Sequence, residues 1–313
     1  MKNDVRQGVR SHEGAVSANR GILLGLAYRM LGSTYDAEDV VQEAYSRWYA
    51  MSEGEQRAIR SPVAWLTRVT GRICLDHLTS ARVRRERYVG EWIPEPLRDL
   101  GVWSSTVDTL VDPAEQVMLD ESVSMGMLVM LESLTPAERV VFVLHDVFRL
   151  PFTEIAEVVG RSPAACRQLA VSARRRLEKR QARPVDGAEQ HRDLIVEFKR
   201  ACESGDFDAL VNLLDPDVVV HTDGGGKAHA TRRPIFGAEK AARLFLGLLR
   251  RQPGMEFVGE DVNGRPGYIV RLNGAVTSVV ATEAHGNVFT HIWMVVNPDK
   301  LHDWTGAGHR HRI

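Results

Sequence analysis

The chain has 313 residues, 44% of them hydrophobic and 26% charged, with a formal net charge of −1. That length holds two or three domains, and that balance belongs to a folded globular protein and excludes a disordered or fibrous one. No run approaches the roughly 20 apolar residues that span a bilayer, and residues 1–20 lack the apolar core of a signal peptide, so we expect no membrane association and a cytoplasmic protein. Cys74, Cys166 and Cys202 are far apart, which fits a reducing compartment and no metal site. The near-zero charge conceals a division. Arginines gather over residues 82–87 and 161–183, and acids gather in the connecting stretches. Local basic patches of this kind are an electrostatic footprint of nucleic-acid binding.

Residues 1–19 read as a flexible extension. Residues 20–88 read as helical throughout. Ile22, Leu23, Leu26, Ala27 and Met30 fall on one face of an amphipathic helix that ends near Gly32. Asp36, Ala37, Glu38 and Asp39 open a second helix, with acids where the helix dipole favours them. Val40, Val41, Ala44, Tyr45 and Trp48 are its apolar side. Ser61-Pro62 caps a third helix. Trp65, Leu66, Val69, Ile73 and Leu78 form its core face, and Arg68, Arg72, Arg82, Arg84, Arg85 and Arg87 its basic complement. Residues 89–112 read as a linker. Each proline in Trp92-Ile93-Pro94-Glu95-Pro96 keeps its predecessor out of helix, and the large apolar groups here want a partner surface.

Residues 113–183 carry a second helical block. Thr135-Pro136-Ala137-Glu138 is a capping box with proline at the first helical position. Phe152, Ile155, Ala156 and Val159 give the next helix one apolar face, and Gly160 suits the left-handed position that ends it. Ser162-Pro163 then starts a helix whose buried stripe is Cys166, Leu169, Ala170, Ala173 and Leu177. Arg167, Gln168, Ser172, Arg174, Arg175 and Arg176 are left outward, following Arg161 in the turn. A short helix, a glycine turn and a capped basic helix make a helix-turn-helix, whose second helix can enter a major groove. The plain alternative is a helical hairpin with a solvated face.

After a short linker, residues 188–305 change character. Two helices, a strand, a further helix and four strand-like runs predict an α+β domain, and residues 306–313 read as a tail. The string Asp223-Gly224-Gly225-Gly226-Lys227 lacks the spacing of a phosphate-binding loop, which leaves a flexible turn or an inter-domain contact. His221, Asp223, His229, Glu283, His285 and His291 lie on or beside strands, with no nucleophile–base pairing or metal spacing among them. We therefore expect no catalytic residue, no cofactor and no metal.

The run LESLTPAERVVFVLHDVFRLPFTEIAEVVGRSPAACRQLAVSARRRLEK resembles region four of an extracytoplasmic-function (ECF) sigma factor. DAEDVVQEAYSRWY and VAWLTRVTGRICLDHLTSARVRRER resemble region two, in the family's order. Residues 188–305 resemble a SnoaL-like domain of the nuclear-transport-factor-two-like superfamily. EWIPEP, DGGGK and NPDKL together resemble the signature of the ECF group with a fused SnoaL-like extension, the sigma factor J type. The chain departs from the group at Ile93 and Lys227, where Leu and Arg are usual. It departs again at Leu169 and Ala170, where many members carry Arg and Leu.

The resemblance implies a multidomain fold: two all-α sigma domains, then an α+β SnoaL-like cone. It implies binding to core RNA polymerase, through its β′ and β subunits, and to promoter DNA. Asp36, Glu38, Asp39 and Glu43 would contact the polymerase. Arg68, Arg72, Arg82, Arg84 and Arg85 would hold the −10 element, and Arg161, Arg167, Gln168, Ser172, Arg174 and Arg175 the −35 element. Trp92, Ile93, Pro94, Asp223, Gly224, Gly225, Gly226, Lys227, Asn297, Pro298 and Asp299 would form an inter-domain regulatory contact in place of a separate anti-sigma protein. The cone's pocket has room for an unknown small ligand, and the free protein is expected to be a monomer. The rival is a SnoaL-type isomerase or hydrolase with a DNA-binding arm. A ligand-gated DNA-binding regulator independent of polymerase is a third, but it leaves the acidic helix start at residues 36–43 without a role.

Overall fold

The computed structural model describes residues 19–85, 88–104, 122–178 and 187–305. The expected extension, the linker beyond residue 104, the tail, and the side chains of Arg82, Arg84, Arg85 and Arg87 lie outside that set. The chain forms two compact units. One comprises residues 1–83, 101–123 and 130–180, and the other residues 84–100, 124–129 and 181–313.

The first unit is helical. Its helices are α1 (Arg20–Leu31), α2 (Thr34–Tyr49), α3 (Glu53–Ala58), α4 (Pro62–Arg85), α5 (Met125–Glu132), α6 (Pro136–Phe142), α7 (Phe152–Val159) and α8 (Pro163–Glu178), of which α4 and α5 run partly into the second unit. The local signals operate as short-range physics dictates. Ser33 accepts the Asp36 amide and so starts α2 two residues before the acidic run. Gly32 and Gly160 end α1 and α7 in the left-handed region. Thr135 and Glu138 form a complete capping box.

The first helix corrects its amphipathic reading. Residues Ile22 to Leu31 are all buried, including Arg29 at 1% exposure. A buried guanidinium needs partners for its donors. Arg29 finds them in Ser122 Oγ at 2.6 Å, Gly25 O at 2.9 Å and Trp103 O at 2.8 Å, with the Phe148 ring beneath it. The helix expected after the capping box also differs: α6 gives way to a π-helical turn over Val143–Val147.

The second unit is α+β. Helices α9 (Ala188–Ser204), α10 (Phe207–Asn212) and α11 (Ala238–Arg251) accompany strands β1 (Leu214–Asp223), β2 (Ile235–Phe236), β3 (Met255–Val262), β4 (Arg265–Leu272), β5 (Ala275–His285) and β6 (Val288–Val295). The strands form one sheet in the order β2-β1-β6-β5-β4-β3. The β1–β6 pair is parallel and the other pairs are antiparallel. Side chains alternate across a sheet, so the two faces bury different sets. Val220, Tyr268, Val280, Ile292 and Met294 pack under the helices. Val262, Ile269, Val279, Trp293 and Val295 pack on the other side with Ile93, Met125, Leu301 and Trp304. Under the helices, Phe198 meets Phe245, Tyr268 and Phe289 at ring separations of 5.1–5.7 Å.

Candidate functional site

The helix-turn-helix is built as its pattern requires. Ile155, Ala156 and Val159 are buried, as are Cys166, Ala170, Ala173 and Leu177, while Leu169 is half-buried. Ser162 accepts the Ala165 amide at 3.2 Å and so starts α8. Arg161, Arg167, Gln168 and Arg175 are exposed. Arg174 is exposed too, but its guanidinium is held by Asp146 at 2.6 Å. Ser172 requires a correction. Its hydroxyl turns inward and donates to Glu138 Oε1 at 2.6 Å, because the α8 face it occupies packs on α6. The outward stripe contains instead Val171, at 50% exposure, which the polar pattern gave no reason to pick.

Of the basic residues on α4, Arg68 and Arg72 have described side chains. Arg68 pairs with Glu157 of α7 at 2.9 Å. Arg72 donates to the Val158 carbonyl at 3.0 Å and lies 3.8 Å from Asp76. On α2, Glu38 and Asp39 are exposed and Asp36 is half-buried. Glu43 lies 2.5 Å from Arg47 one turn on, an exposed pair of little energetic weight.

The densest polar site is in the α+β unit, where residues 88–100 lie on the sheet face opposite the helices. Asp223, at the end of β1, is fully buried. Its carboxylate accepts from Tyr88 Oη at 2.6 Å, the Ile93 amide at 3.0 Å, the Gly225 amide at 3.0 Å and Lys300 Nζ at 2.7 Å. Four donors satisfy a buried carboxylate that would otherwise be costly. Burial first, and then the bond to Asp223, push the Tyr88 phenol upward, so it stays a donor. Lys300 also donates to the Ile93 carbonyl and sits 4.1 Å from the centre of the Trp92 ring. Asn297 Nδ2 donates to Tyr88 Oη at 3.0 Å. Gly225 has a positive φ of 58° and its Cα faces the Asn297 amide so closely that no Cβ fits. Downstream, Leu97 exchanges two bonds with Asn263: its amide to Oδ1 at 3.0 Å, and its carbonyl from the Asn263 amide at 2.9 Å. Trp304 Nε1 donates to Pro96 O at 3.0 Å.

Trp92, Ile93, Pro94, Asp223, Gly225 and Asn297 are therefore gathered at one place. Lys227 and Asp299 pair with each other at its exposed rim, 2.5 Å apart. Gly224 packs on the Ala228 carbonyl, and Pro298 starts the 3-10 turn that carries Lys300. Tyr88, Asn263, Lys300 and Trp304 were missed. Lys300 was legible in principle, standing in the same NPDKL string as Asn297.

Of the acid–base candidates, His221, Glu283 and His291 fall on this same sheet face, while His229 is exposed in the loop after β1. His221 lies 3.0 Å from Glu91 of residues 88–100, and His291 lies 3.7 Å from Glu283. The two imidazoles flank Trp293, with near-parallel rings. Burial, then the neighbouring His221, hold the His291 imidazole below its ordinary range. Among the described residues no group of three or more His, Cys, Asp or Glu has the spacing for a metal, and no helix is long and apolar enough to cross a membrane.

Comparison with known proteins agrees with this architecture. The Sigma-70 region 2 family matches residues 15–84, and the Sigma-70, region 4 family matches residues 125–177. The ECF RNA polymerase sigma factor SigJ of Mycobacterium tuberculosis is 38% identical over 318 aligned positions, covering 94% of this chain and 97% of SigJ. This chain is an ECF RNA polymerase sigma factor. The probable ECF sigma factor SigI of M. tuberculosis is 39% identical over 288 positions, covering 91% of this chain and 92% of SigI. The crystal structure of M. tuberculosis SigJ matches with a TM-score of 0.70 at 35% identity, over 91% of this chain and 96% of that one. The sigma factor thus has helical regions two and four, directs transcription initiation with core RNA polymerase at promoter DNA, and carries a fused α+β domain. It is a specificity subunit and not an enzyme.

Proposed function

We propose that this sigma factor carries its own regulator: the α+β domain holds residues 88–100 and so sets when regions two and four engage polymerase and promoter. Region two docks on the β′ subunit through Asp36, Glu38, Asp39 and Glu43, while β meets other surfaces. Arg68, Arg72, Arg82, Arg84 and Arg85 hold the −10 element. The exposed face of α8, with Arg161, Arg167, Gln168, Arg174 and Arg175, reads the −35 element. The protein acts in the cytoplasm as a monomer when free.

The observation that carries the regulatory reading is the buried pair of Asp223 and Lys300 on either side of Ile93. Core polymerase would have to compete with these bonds for residues 88–100, and coupling of this kind is typically about 1–3 kcal/mol. The test is run-off transcription with core polymerase, comparing the full chain with Asp223→Asn and Lys300→Met at matched folded concentration. Altered output with an intact helical signal is expected from both. Unchanged output from both variants would overturn the regulatory role while leaving the sigma factor itself intact.

A further inference from the structure

The geometry points to Glu138 as the positioning residue for −35 recognition, acting through Ser172 and Arg176. The proposal rests on α8 being the −35 reader and adds what fixes its orientation. Glu138 is 3% exposed although it carries a carboxylate. One of its oxygens, Oε2, accepts the Thr135 amide at 2.9 Å and the Thr135 hydroxyl at 2.8 Å, which closes the capping box of α6. Arg176 Nη1 lies 3.4 Å from the same oxygen. The other oxygen, Oε1, accepts from Ser172 at 2.6 Å.

A capping glutamate needs only its own N-terminus. This one also grips two residues one turn apart on the neighbouring helix, Ser172 and Arg176. Its hydrogen bonds are charge-assisted and sheltered, which makes them directional and strong. Two grips one turn apart define both the rotation and the axial position of α8 against α6. With the Ser172 face turned inward, Arg167, Gln168, Val171 and Arg175 stand outward as a single stripe. A few degrees of rotation would carry the ends of such long side chains past a base edge, so readout depends on this anchor without contact between Glu138 and DNA. Burial acts to raise the Glu138 carboxyl, but hydrogen bonding by Ser172 and Thr135 and the adjacent Arg176 together outweigh it and hold the group below its ordinary range, so the anchor stays ionised near neutral pH.

The experiment uses holoenzyme of the full chain with core polymerase and a promoter library randomised across the −35 hexamer, read by sequencing bound DNA at two salt concentrations. Wild type, Glu138→Gln, Ser172→Ala and the double variant are compared. In Glu138→Gln the amide oxygen keeps the cap, but Ser172 loses its carboxylate acceptor for a neutral amide nitrogen and Arg176 loses its ion pair, so the charge-assisted grip loosens. We expect Glu138→Gln to lower preference for the favoured hexamer by about tenfold, at several base positions together, with the salt slope unchanged because phosphate contacts remain. Ser172→Ala should shift the same positions in the same direction, and the double variant should go no further than Glu138→Gln. Three results would overturn the proposal. In the first, Ser172→Ala alters one base position while Glu138→Gln is silent, which makes Ser172 a direct reader. In the second, binding weakens uniformly across sequences, which is a merely structural role. In the third, preference is unchanged. If Glu138→Gln does not fold, Ser172→Ala decides alone by the same criteria. A wild type that selects no hexamer would overturn the −35 assignment itself, a separate failure.

Discussion

The linker-holding site of the α+β unit and the outward stripe of α8 both depend on charge, yet they are built in opposite ways. At the first, Asp223 is fully buried and its carboxylate is met by four donors within 3.0 Å. At the second, Arg167 and Arg175 stand in solvent. A buried charge requires complete satisfaction, and removing one partner strands the other in low dielectric. An exposed arginine contributes little to folding and keeps its charge for a polyanion. One site is therefore a device of the protein's own structure, and the other leaves its charge in solvent, as the proposed DNA face requires. Substitutions should separate them by their effect on stability.

The largest effect is expected at the buried pair. Asp223→Ala should cost about 3 kcal/mol of stability, because Lys300 is left charged and buried. The double variant Asp223→Ala with Lys300→Met should recover part of the loss, since the Tyr88, Ile93 and Gly225 donors still lose their acceptor. Urea unfolding of the full chain measures both, and a loss below about 0.5 kcal/mol would place Asp223 in the same class as the surface arginines.

Next comes a titration on the helix side of the sheet. His191 is buried, its Nε2 bonded to Thr282 Oγ1 at 2.8 Å, and burial is the main cause that pushes its imidazole down to about 4. The ordinary value is about 6.5, so between those values the unfolded chain holds a proton that the folded chain refuses. The stability is complete above about pH 6.5 and is lost as pH falls toward 4. Wild type should lose about 2 kcal/mol more than His191→Gln between pH 7.5 and pH 5. Parallel pH profiles for the two proteins would show that His191 does not titrate across this range.

A smaller effect is expected where Asn263 meets Leu97. Asn263 has a positive φ of 53°, so Asn263→Gly keeps the backbone and removes the side chain whose Oδ1 accepts from Leu97. The change should cost about 1 kcal/mol and speed hydrogen exchange at the Leu97 amide. Unaltered exchange there would mean that the linker is held without Asn263.

The smallest stability change belongs to the open site. Arg175→Ala should shift folding by less than about 0.5 kcal/mol. It should nevertheless reduce the salt dependence of DNA binding by about one phosphate contact. An unchanged salt slope would remove Arg175 from the DNA face and blur the contrast with Asp223.

Sequence alone determined the features set by neighbours within a turn or a strand. The capping box at Thr135 and Glu138, the left-handed Gly160, the start of α8 at Ser162-Pro163 and the helical-then-α+β order were all legible. Each follows from spacings of two to four residues, over which backbone hydrogen bonding and helical periodicity act. Tertiary structure alone decided which of the outward-looking polar residues were in fact spoken for. Ser172 meets Glu138 across 34 positions, Arg29 meets Ser122 across 93, Leu97 meets Asn263 across 166 and Lys300 meets Ile93 across 207. A lysine or arginine in sequence carries no mark of whether its charge will be solvated or buried. Only the packing of distant segments supplies the acceptors that make burial tolerable, and so only the fold separates the cations that hold this protein together from those left in solvent.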